Sequence, residues 1–453
     1  MLRKCQPLEN RLDRKQPCIM SAKIQIFPWS EKEPTPEVET FLHRPAFDEQ
    51  AEIAASSCLA DIRKNGLDAV LRACKVFDHA ELSADNIRVS EAELDAAEAT
   101  CNGTIKRAIH QAAERIEQFA KAGLRPDWTI STPHGGRLGE RFHPMDRVGV
   151  YIPGGTAPLA STSLMTVILA KAAGVNEIVA CTPSRNGLTV SAPLLYALRV
   201  AGATEIYRVG GIQSIGMMAY GAGIPPVQLI AGPGNAYVTA AKRQVYGTVA
   251  IDQVAGPSEI CILADKVGNA KWIAADLLSQ AEHGSGHEKS FLVTDSQAFA
   301  EQVKQEVLSQ LTIRNRREII ERMLSNRGML FAVVPNLAIE GVNLCNRFAA
   351  EHLELQVSNA DKILPTITCA GAVFVGYWTP ESAGDFVAGP SHVLPTGGAA
   401  RMFSGLTAET FRRRSSFVEF SKEDLAETKD TIETFGKLEG LDAHAYAASV
   451  RFE

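Results

Sequence analysis

The segment 276–283, with the sequence DLLSQAEH, holds a dense group of side chains that could do chemistry. Gln280 and His283 are three residues apart, so on a helix they lie on one face near its end. An imidazole nitrogen and an amide oxygen can bind a metal together, although a catalytic zinc needs about three protein ligands and an open position. A histidine near a helix C-terminus can also simply favour the helix dipole. From this segment alone the dipole interpretation is the stronger of the two.

Two other segments place acidic and imidazole groups close together. Glu351 and His352 are adjacent just before a predicted strand, where they could act as acid and base. Asp385 and His392 lie in a glycine-rich loop after another predicted strand, and catalytic residues are common in such loops. Each histidine taken singly is more often a capped or solvated residue than a ligand.

A possible set of metal ligands consists of Gln280, His283, Asp385 and the C-terminal His444. The set supplies nitrogen and oxygen donors and no thiolate. Such a donor set suits zinc or a similar divalent ion in a reactive site rather than a purely structural one. Spacing along the chain does not prove that the four residues converge, so the set is a hypothesis.

Two glycine-rich turns follow predicted strands, IPGGT at 152–156 and AGPGN at 231–235. Glycine lets the backbone approach a ligand, and the N-terminus of the helix that begins at Ala236 offers amide donors to a phosphate. Both turns lie at the carboxyl ends of strands, where open α/β sheets bind ligands. Neither turn matches GxGxxG, so a dinucleotide site is suggested and an ordinary βα turn is the alternative.

The elements that must position these residues follow from alternating apolar runs and helical periodicity. Helices are predicted over 48–77 and 92–122. A first unit contains strands at 148–152, 177–181, 205–209 and 227–230, with helices at 159–173, 192–200, 214–220 and 236–246. A second unit contains strands at 259–264, 290–294, 329–334, 353–357 and 372–375, with helices at 270–281 and 298–311. Such alternation is typical of parallel sheets covered by helices.

Composition excludes several classes of protein. Of 453 residues, 45% are hydrophobic and 22% charged, as in a globular protein, and the net charge of -6 gives no indication of a nucleic-acid partner. Nine cysteines stand singly, which favours a reduced, cytoplasmic protein. No apolar run approaches the roughly 18 residues of a membrane span. The first nineteen residues have no apolar core and so do not form a secretory signal.

Eight sequence blocks resemble the histidinol dehydrogenase family, in that family's order: GVYIPGGTAPLASTSLMT, GPGNAYVTAAKRQV, AGPSE, DLLSQAEH, AEHLEL, AGAVFVG, SAGDFVAGPSHVLPT and EGLDAHA. They run from about 147 to 451, with weaker similarity back to about 47. The resemblance implies oxidation of L-histidinol to L-histidine through L-histidinal, the last step of histidine biosynthesis. Two NAD molecules and one zinc ion per site are implied as cofactors.

The resemblance also implies a role for each candidate residue. It makes Gln280, His283, Asp385 and His444 the zinc ligands, which also contact the substrate. It makes Glu351 and His352 the acid–base pair, with Glu351 also near the substrate. It adds Ser258, His392 and Glu439 as substrate contacts, and Tyr151, Gln213 and Asn235 as NAD contacts. The implied assembly is an intertwined homodimer in which Glu439 and His444 complete the neighbouring subunit's site.

The expected fold is α/β, with two Rossmann-like but incomplete parallel-sheet domains, helices before them packed on the second unit, and a C-terminal helical tail. The expected divisions are a disordered tail (1–22), an N-terminal arm (23–46), a domain with the zinc and acid–base residues (47–150 plus 260–402), an NAD-binding domain (151–259) and a dimerisation tail (403–453). Glu351 and His352 are both expected in a loop before the strand, since neighbouring side chains on a strand point to opposite sides.

Departures from the family's usual residues leave the substrate open. They occur at Ile212, Ser214 and Ser391, near the expected cofactor and substrate contacts. The alternatives are a related zinc and NAD dehydrogenase of another small alcohol, such as sulfopropanediol, and a non-catalytic binding protein. The second is disfavoured because every implied catalytic and ligand residue is present.

Overall fold

The structure is a computed structural model that describes residues 24–44, 48–154, 159–184 and 188–453. The predicted tail over 1–22 and two residues of the first glycine turn, Gly155 and Thr156, lie outside these ranges. The described chain contains two parallel sheets and one antiparallel sheet. None of its described helices combines the length and apolar character needed to cross a membrane.

The helices are α1 (Pro36–Leu42), α2 (Glu49–Asn65), α3 (Leu67–Ala73), α4 (Glu91–Thr100), α5 (Gly103–Ala122), α6 (Ala160–Ala172), α7 (Ala192–Ala201), α8 (Gly211–Tyr220), α9 (Ala236–Val245), α10 (Ala270–Ala281), α11 (Gln297–Leu311), α12 (Arg317–Ser325), α13 (Val342–Phe348), α14 (Ala360–Ile363), α15 (Glu381–Phe386), α16 (Lys422–Leu438) and α17 (Asp442–Ser449). Short 3₁₀ or π turns occur at Cys74–Asp78, Leu337–Gly341, Leu364–Thr366, Ala399–Arg401, Ala408–Phe411 and Val450–Phe452.

The strands are β1 (Gln25–Pro28), β2 (Trp128–Ser131), β3 (Arg137–Pro144), β4 (Arg147–Tyr151), β5 (Glu177–Cys181), β6 (Glu205–Tyr207), β7 (Leu229–Ala231), β8 (Ala250–Ile251), β9 (Glu259–Ala264), β10 (Lys289–Thr294), β11 (Met329–Val333), β12 (His352–Gln356), β13 (Ala372–Val375) and β14 (Arg412–Glu419).

The first parallel sheet has the order β6-β5-β4-β7-β8. Its strands are almost wholly buried, as expected for a sheet covered by helices on both faces. The chain adds strands outward from β4 to β6 and then returns to place β7 on the other side of β4. The resulting switch point between β4 and β7 is where open α/β sheets bind ligands, at the carboxyl ends of the strands.

The second parallel sheet has the order β1-β11-β10-β9-β12-β13, with a similar reversal between β9 and β12. The two predicted sets of parallel strands are confirmed, with ends that differ from the prediction by at most two residues. The edge strand β1 was not predicted. It is four residues long, and its apolar residues are too few to show a period.

The helices α2, α4 and α5 pack on the first sheet's helices, α2 against α8 and α9, α4 against α7, and α5 against α6. The apolar cores confirm this, since α2 residues join one face of the first sheet and α4 and α5 residues join the other. The prediction that these helices pack on the second unit is therefore wrong. Periodicity shows which face of a helix is buried and not which surface buries it. The division of the chain into domains stays a prediction.

A three-stranded antiparallel sheet of order β14-β3-β2 was missed. The C-terminal region is therefore not helical throughout, because β14 precedes α16. The strand is charged and largely exposed, so it lacks the apolar alternation that indicates a half-buried strand. A capping box begins α16: Ser421 Oγ accepts from the Asp424 N–H (3.0 Å), and the Asp424 carboxylate accepts from the Ser421 N–H (3.0 Å).

Candidate active site

The candidate catalytic residues lie at the amino edge of the second sheet. His352 is the first residue of β12, and Glu259 is the first residue of the neighbouring strand β9. The C-terminal end of α10 reaches the same edge, and the next strand begins there at Lys289. The first sheet presents its carboxyl edge to this region, since Thr162 in the first turn of α6 lies 2.8 Å from His392 Nε2 through its hydroxyl. The carboxyl edge of the first sheet therefore lies next to the amino edge of the second.

The imidazole of His352 is oriented by the backbone. Its Nδ1 lies 3.2 Å from the carbonyl oxygen of Glu259, which can only accept, so Nδ1 carries a proton, and in the neutral imidazole Nε2 is the nitrogen with the lone pair. His352 is 3% exposed, and its Nε2 has no hydrogen-bond partner among the described residues. Nε2 lies 3.6 Å from Asp385 Oδ1 and 3.9 Å from Glu381 Oε1. The nitrogen is thus available to a bound ligand.

Glu259 also holds the side chain of Glu351, because Glu351 Oε2 accepts from the Glu259 N–H at 3.0 Å. Burial raises the pKa of Glu351 to about 7, and the neighbouring His352 opposes that rise. A carboxyl group that titrates near neutrality suits general acid–base chemistry. The prediction that both residues precede the strand is wrong for His352, which opens β12. Both reach one site because the backbone bends at Glu351, directly before the strand.

Burial lowers the pKa of His352, but the carboxylates of Glu351, Glu381 and Asp385 outweigh burial and raise that pKa to about 10. The pKa of Asp385 is held well below its usual range, since the imidazoles of His352 and His392 outweigh the opposite effect of burial. The site therefore has an excess of carboxylates that stabilise positive charge. A cation at this position would offset the charge of these carboxylates and so lower the pKa of His352.

The amide and imidazole of Gln280 and His283 approach each other, with Gln280 Nε2 3.3 Å from His283 Nδ1. Gln280 is fully buried, and its Oε1 lacks a hydrogen-bond partner in the described structure. A 2.9 Å hydrogen bond from Ser279 Oγ to Glu381 Oε2 joins α10 to α15, the helix that carries Asp385. His392 adds a 3.0 Å hydrogen bond from its Nδ1 to the Asp385 backbone carbonyl. The candidate ligands at the end of α10, Gln280 and His283, thus lie on an element that neighbours α15, which carries Asp385.

A group of three potential ligands, His352, Glu381 and Asp385, has its ligand atoms within 4.8 Å of one another. The unpartnered buried atoms of the region include Gln280 Oε1, His352 Nε2 and Glu381 Oε1. Buried polar atoms are normally hydrogen-bonded, and a bound ion is one recognised partner for those that are not. The residues present therefore fit a metal ion.

The candidate cofactor residues lie at the carboxyl edge of the first sheet. Tyr151 ends β4, and its hydroxyl accepts from the Gly211 N–H at 3.4 Å. The buried Gln213 donates through Nε2 to Asp78 Oδ2 at 2.8 Å. Asn235 caps α9 by accepting from the backbone N–H groups of its first turn at 3.1 Å each. These groups flank the switch point between β4 and β7.

Residues 43–452 match the family model described as Histidinol dehydrogenase. The chain belongs to the histidinol dehydrogenase family. The histidinol dehydrogenase of Heliobacterium mobile is 41% identical over 421 residues, which cover 93% of this chain and 98% of that protein. The histidinol dehydrogenase of Rhodopseudomonas palustris is 43% identical over 401 residues, covering 88% and 92%. The crystal structure of the Elizabethkingia anophelis histidinol dehydrogenase superposes with a TM-score of 0.89 at 36% identity, covering 95% and 98%.

Two of the candidate site residues in this histidinol dehydrogenase family member lie away from the site within one subunit. Glu439 and His444 are exposed at the junction of α16 and α17. Their side chains form no hydrogen bond or ion pair with any described residue. Ser258, by contrast, is half-buried directly before Glu259, whose backbone binds Glu351 and His352. The structure therefore groups Ser258 with the site and leaves the tail candidates apart.

Sequence reasoning missed two acidic residues that contact the candidate residues. Glu381 is 1% exposed. The only feature of the sequence that could have indicated it is its position four residues, or one helical turn, before Asp385, in a segment that was predicted to be a loop. Asp78 Oδ2 accepts from Gln213 and from the Gly210 N–H at 3.3 Å, and burial raises the pKa of this carboxyl against both hydrogen bonds. Asp78 ends a π-helical turn far along the chain from Gln213, so no local pattern indicated it.

Proposed function

We propose that this protein oxidises L-histidinol to L-histidine through L-histidinal, with NAD as the oxidant and one zinc ion per active site. The observation that carries the proposal is the buried pair Glu351 and His352, oriented by one backbone residue and facing unpartnered ligand atoms. The proposal is supported by the family match over 43–452. The substrate is a small amino alcohol, and the reaction removes four electrons in two steps.

Gln280, His283 and Asp385 would hold zinc, and His444 of the partner subunit would complete the set. The fit is supported by the unpartnered Oε1 of Gln280, because an amide oxygen buried without a donor is costly unless a cation or water binds it. When bound, zinc supplies a Lewis acid that orients the amine and imidazole nitrogens of the substrate. Glu381 would lie beside this set, anchored by Ser279.

His352 would act as the base of the alcohol oxidation. Its Nδ1 proton is engaged by the Glu259 carbonyl, so Nε2 takes the hydroxyl proton while the carbinol carbon loses its hydride. The hydride is accepted by NAD, which provides the redox chemistry. The product of this step is the aldehyde, and the proton taken up by Nε2 must be released before the next turnover.

Glu351 would activate water in the aldehyde oxidation. Its carboxylate removes a proton from water as the oxygen attacks the carbonyl carbon, and the resulting hydrate loses a second hydride to a second NAD. A general base is most effective when its pKa lies near the working pH, and the pKa of Glu351 is raised to about 7. The site therefore contains two bases with separate tasks.

NAD would bind along the carboxyl edge of the first sheet, in contact with Tyr151, Gln213 and Asn235. The N-terminus of α9 supplies backbone donors and positive dipole, which favour a phosphate. The contact between Thr162 and His392 joins this edge to the catalytic edge, so a nicotinamide bound between them would face the substrate.

The active protein would be a homodimer with shared sites. Exposed apolar side chains lie on the same tail as Glu439 and His444, including Phe435 (57% exposed) and Leu438 (75% exposed). Large exposed apolar residues close together are typical of an interface. We place the protein in the cytoplasm, since the cysteines that the structure describes (Cys58, Cys74, Cys101, Cys181, Cys261, Cys345 and Cys369) are all free.

The decisive experiment is an assay of NADH production by the purified, zinc-loaded protein with L-histidinol, L-histidinal and sulfopropanediol. The expected result is turnover of both histidine precursors, with two NADH formed per histidinol. Turnover of sulfopropanediol alone would replace the proposed substrate. No turnover of any alcohol, with zinc and NADH bound, would contradict the enzyme proposal.

A further inference from the structure

A buried ion pair lies beneath the turn 231–235, in the cofactor half of the protein. The side chains of Lys242 on α9 and Asp252 after β8 are each 2% exposed, and Lys242 Nζ contacts Asp252 Oδ1. The chemistry proposed above uses neither residue. A charged pair buried this completely is costly unless additional hydrogen bonds satisfy both groups. Those additional bonds indicate what the pair holds.

Both groups bind Gly232, one on each side of its Cα. The Gly232 N–H donates to Asp252 Oδ2 at 2.8 Å, and the Gly232 carbonyl accepts from Lys242 Nζ at 2.8 Å. Gly232 has a φ of +115°, and a Cβ on it would lie 2.2 Å from the Tyr151 carbonyl oxygen. The turn therefore needs glycine here, and the ion pair fixes the two peptide groups that this conformation leaves outside the strand.

The fixed turn contains one of the proposed cofactor contacts, Asn235, and lies against a second, Tyr151. It packs directly against Tyr151 at Gly232, and it ends at Asn235, whose side chain caps α9. A change in the Gly232 peptides would move the backbone that leads to the α9 N-terminus. The ion pair thus acts on the cofactor edge through the turn and not by touching a ligand.

Asp252 also begins the segment that runs to the catalytic edge. Its Oδ1 accepts from the Gln253 N–H at 2.6 Å, and Gln253 Nε2 donates to the Leu394 carbonyl at 2.7 Å. Thr239 on α9 donates to the carbonyl of Ala255 at 2.8 Å, and three residues later the chain reaches Ser258. The pair therefore lies where the cofactor turn and the connection to the catalytic residues meet.

We propose that Lys242 and Asp252 are positioning residues for the dinucleotide cofactor, which hold the turn 231–235 in the conformation that binds it. The inference rests on the proposed NAD site and adds to it two residues that do not themselves contact the cofactor. It predicts that loss of the pair weakens cofactor binding specifically. Metal content and the KM for the alcohol change little, since the catalytic residues keep their own hydrogen bonds.

The test compares wild type with Lys242→Met, Asp252→Asn and the double variant in the zinc-loaded, full-length protein. The measurements are the Kd for NADH by fluorescence, zinc content, the KM for L-histidinol and thermal stability. Lys242→Met leaves a buried carboxylate unpaired and is expected to lower stability and NADH affinity together. The double variant removes both charges and keeps an acceptor for the Gly232 N–H, so stability recovers. Its NADH Kd stays raised about tenfold, because the Gly232 carbonyl has lost its donor.

The control is Gln244→Ala on the same helix, whose side chain binds Glu52 away from the turn, and it should bind NADH like wild type. Wild-type NADH affinity in the double variant would overturn the proposal and make the pair a structural feature only. Equal losses of zinc, alcohol affinity and NADH affinity would overturn it as well. A wild-type protein that binds no NADH would overturn the proposed function, so the two failures are distinguishable.

Discussion

Glu351 and His352 lie side by side, with Oε2 of Glu351 3.7 Å from Nδ1 of His352, and the backbone of Glu259 holds both. The carboxylate accepts from the Glu259 N–H, and the imidazole donates to the Glu259 carbonyl. One residue of β9 thus sets the orientation of two neighbouring side chains, Glu351 directly before β12 and His352 at its first position. A change in either side chain leaves the anchor of the other in place, which makes their roles separable by mutation.

His352→Asn is expected to slow alcohol oxidation about 10²–10⁴-fold, the usual contribution of a general base. Asparagine keeps a polar group near the Glu259 carbonyl and removes the basic Nε2. The measurement is NADH formation from L-histidinol at saturating NAD, with zinc content as the control. Near wild-type turnover with normal zinc would exclude His352 as the base.

Glu351→Gln is expected to slow L-histidinal oxidation much more than the first hydride transfer from L-histidinol. Because the carboxylate is the active form, the wild-type rate on the aldehyde should rise as the pH passes upward through about 7, where Glu351 titrates. The variant should lose that rise. The two steps are measured separately, in single turnovers with each substrate. Equal losses on both substrates for both variants would contradict the division of tasks.

His283→Ala is expected to lose most of the bound zinc and the activity, since it removes one ligand of a set of four. The matched control is His287→Ala, which removes an exposed imidazole four residues further along the same loop. Metal analysis and turnover of both variants decide the assignment. Unchanged zinc and full turnover in His283→Ala would show that the ligand set is wrong.

Mixing inactive His283→Ala and His444→Ala subunits should restore activity. In a mixed dimer with shared sites, one site combines intact residues from both chains, so recovery approaches about one quarter of the wild-type value. The subunits are unfolded, mixed and refolded, and the turnover is compared with each variant treated alone. Absence of recovery, with mixed dimers demonstrated by mass, would mean that His444 acts within its own chain or not at all.

Glu205→Gln should destabilise the protein in a pH-dependent way. The hydrogen bond and charge of Arg147 lower the pKa of Glu205, against a smaller effect of burial. A lowered folded-state pKa stabilises the protein above the unfolded value of about 4.3, and that stabilisation disappears as the pH falls through the folded value. The variant should be roughly 1 kcal/mol less stable at pH 7, and the difference should vanish in acid.

The matched control is Glu177→Gln, because Glu177 also binds Arg147 but its side chain is 56% exposed, against 18% for Glu205. Denaturant unfolding at several pH values is the measurement. A larger loss for Glu177→Gln than for Glu205→Gln would contradict the view that burial makes the inner ion pair the stronger one.

The sequence by itself determined the strands of both parallel sheets except β1 and β8, because a strand buried on both faces is a local run of apolar residues. The prediction of β9, β13 and α10 agrees with the structure at both ends. Family blocks then pointed to Glu351, His352 and the α10 donors. These inferences depend on neighbours along the chain, which the sequence displays directly.

Only the tertiary structure decided which surfaces meet. It placed α2, α4 and α5 on the first sheet, and it paired β3 with β14 across more than half of the chain. It also brought Glu381 to His352 and the Lys242–Asp252 pair to Gly232. Contacts of this kind join residues that are distant or unpatterned in sequence, and their energy depends on burial and geometry, which exist only once the chain has folded.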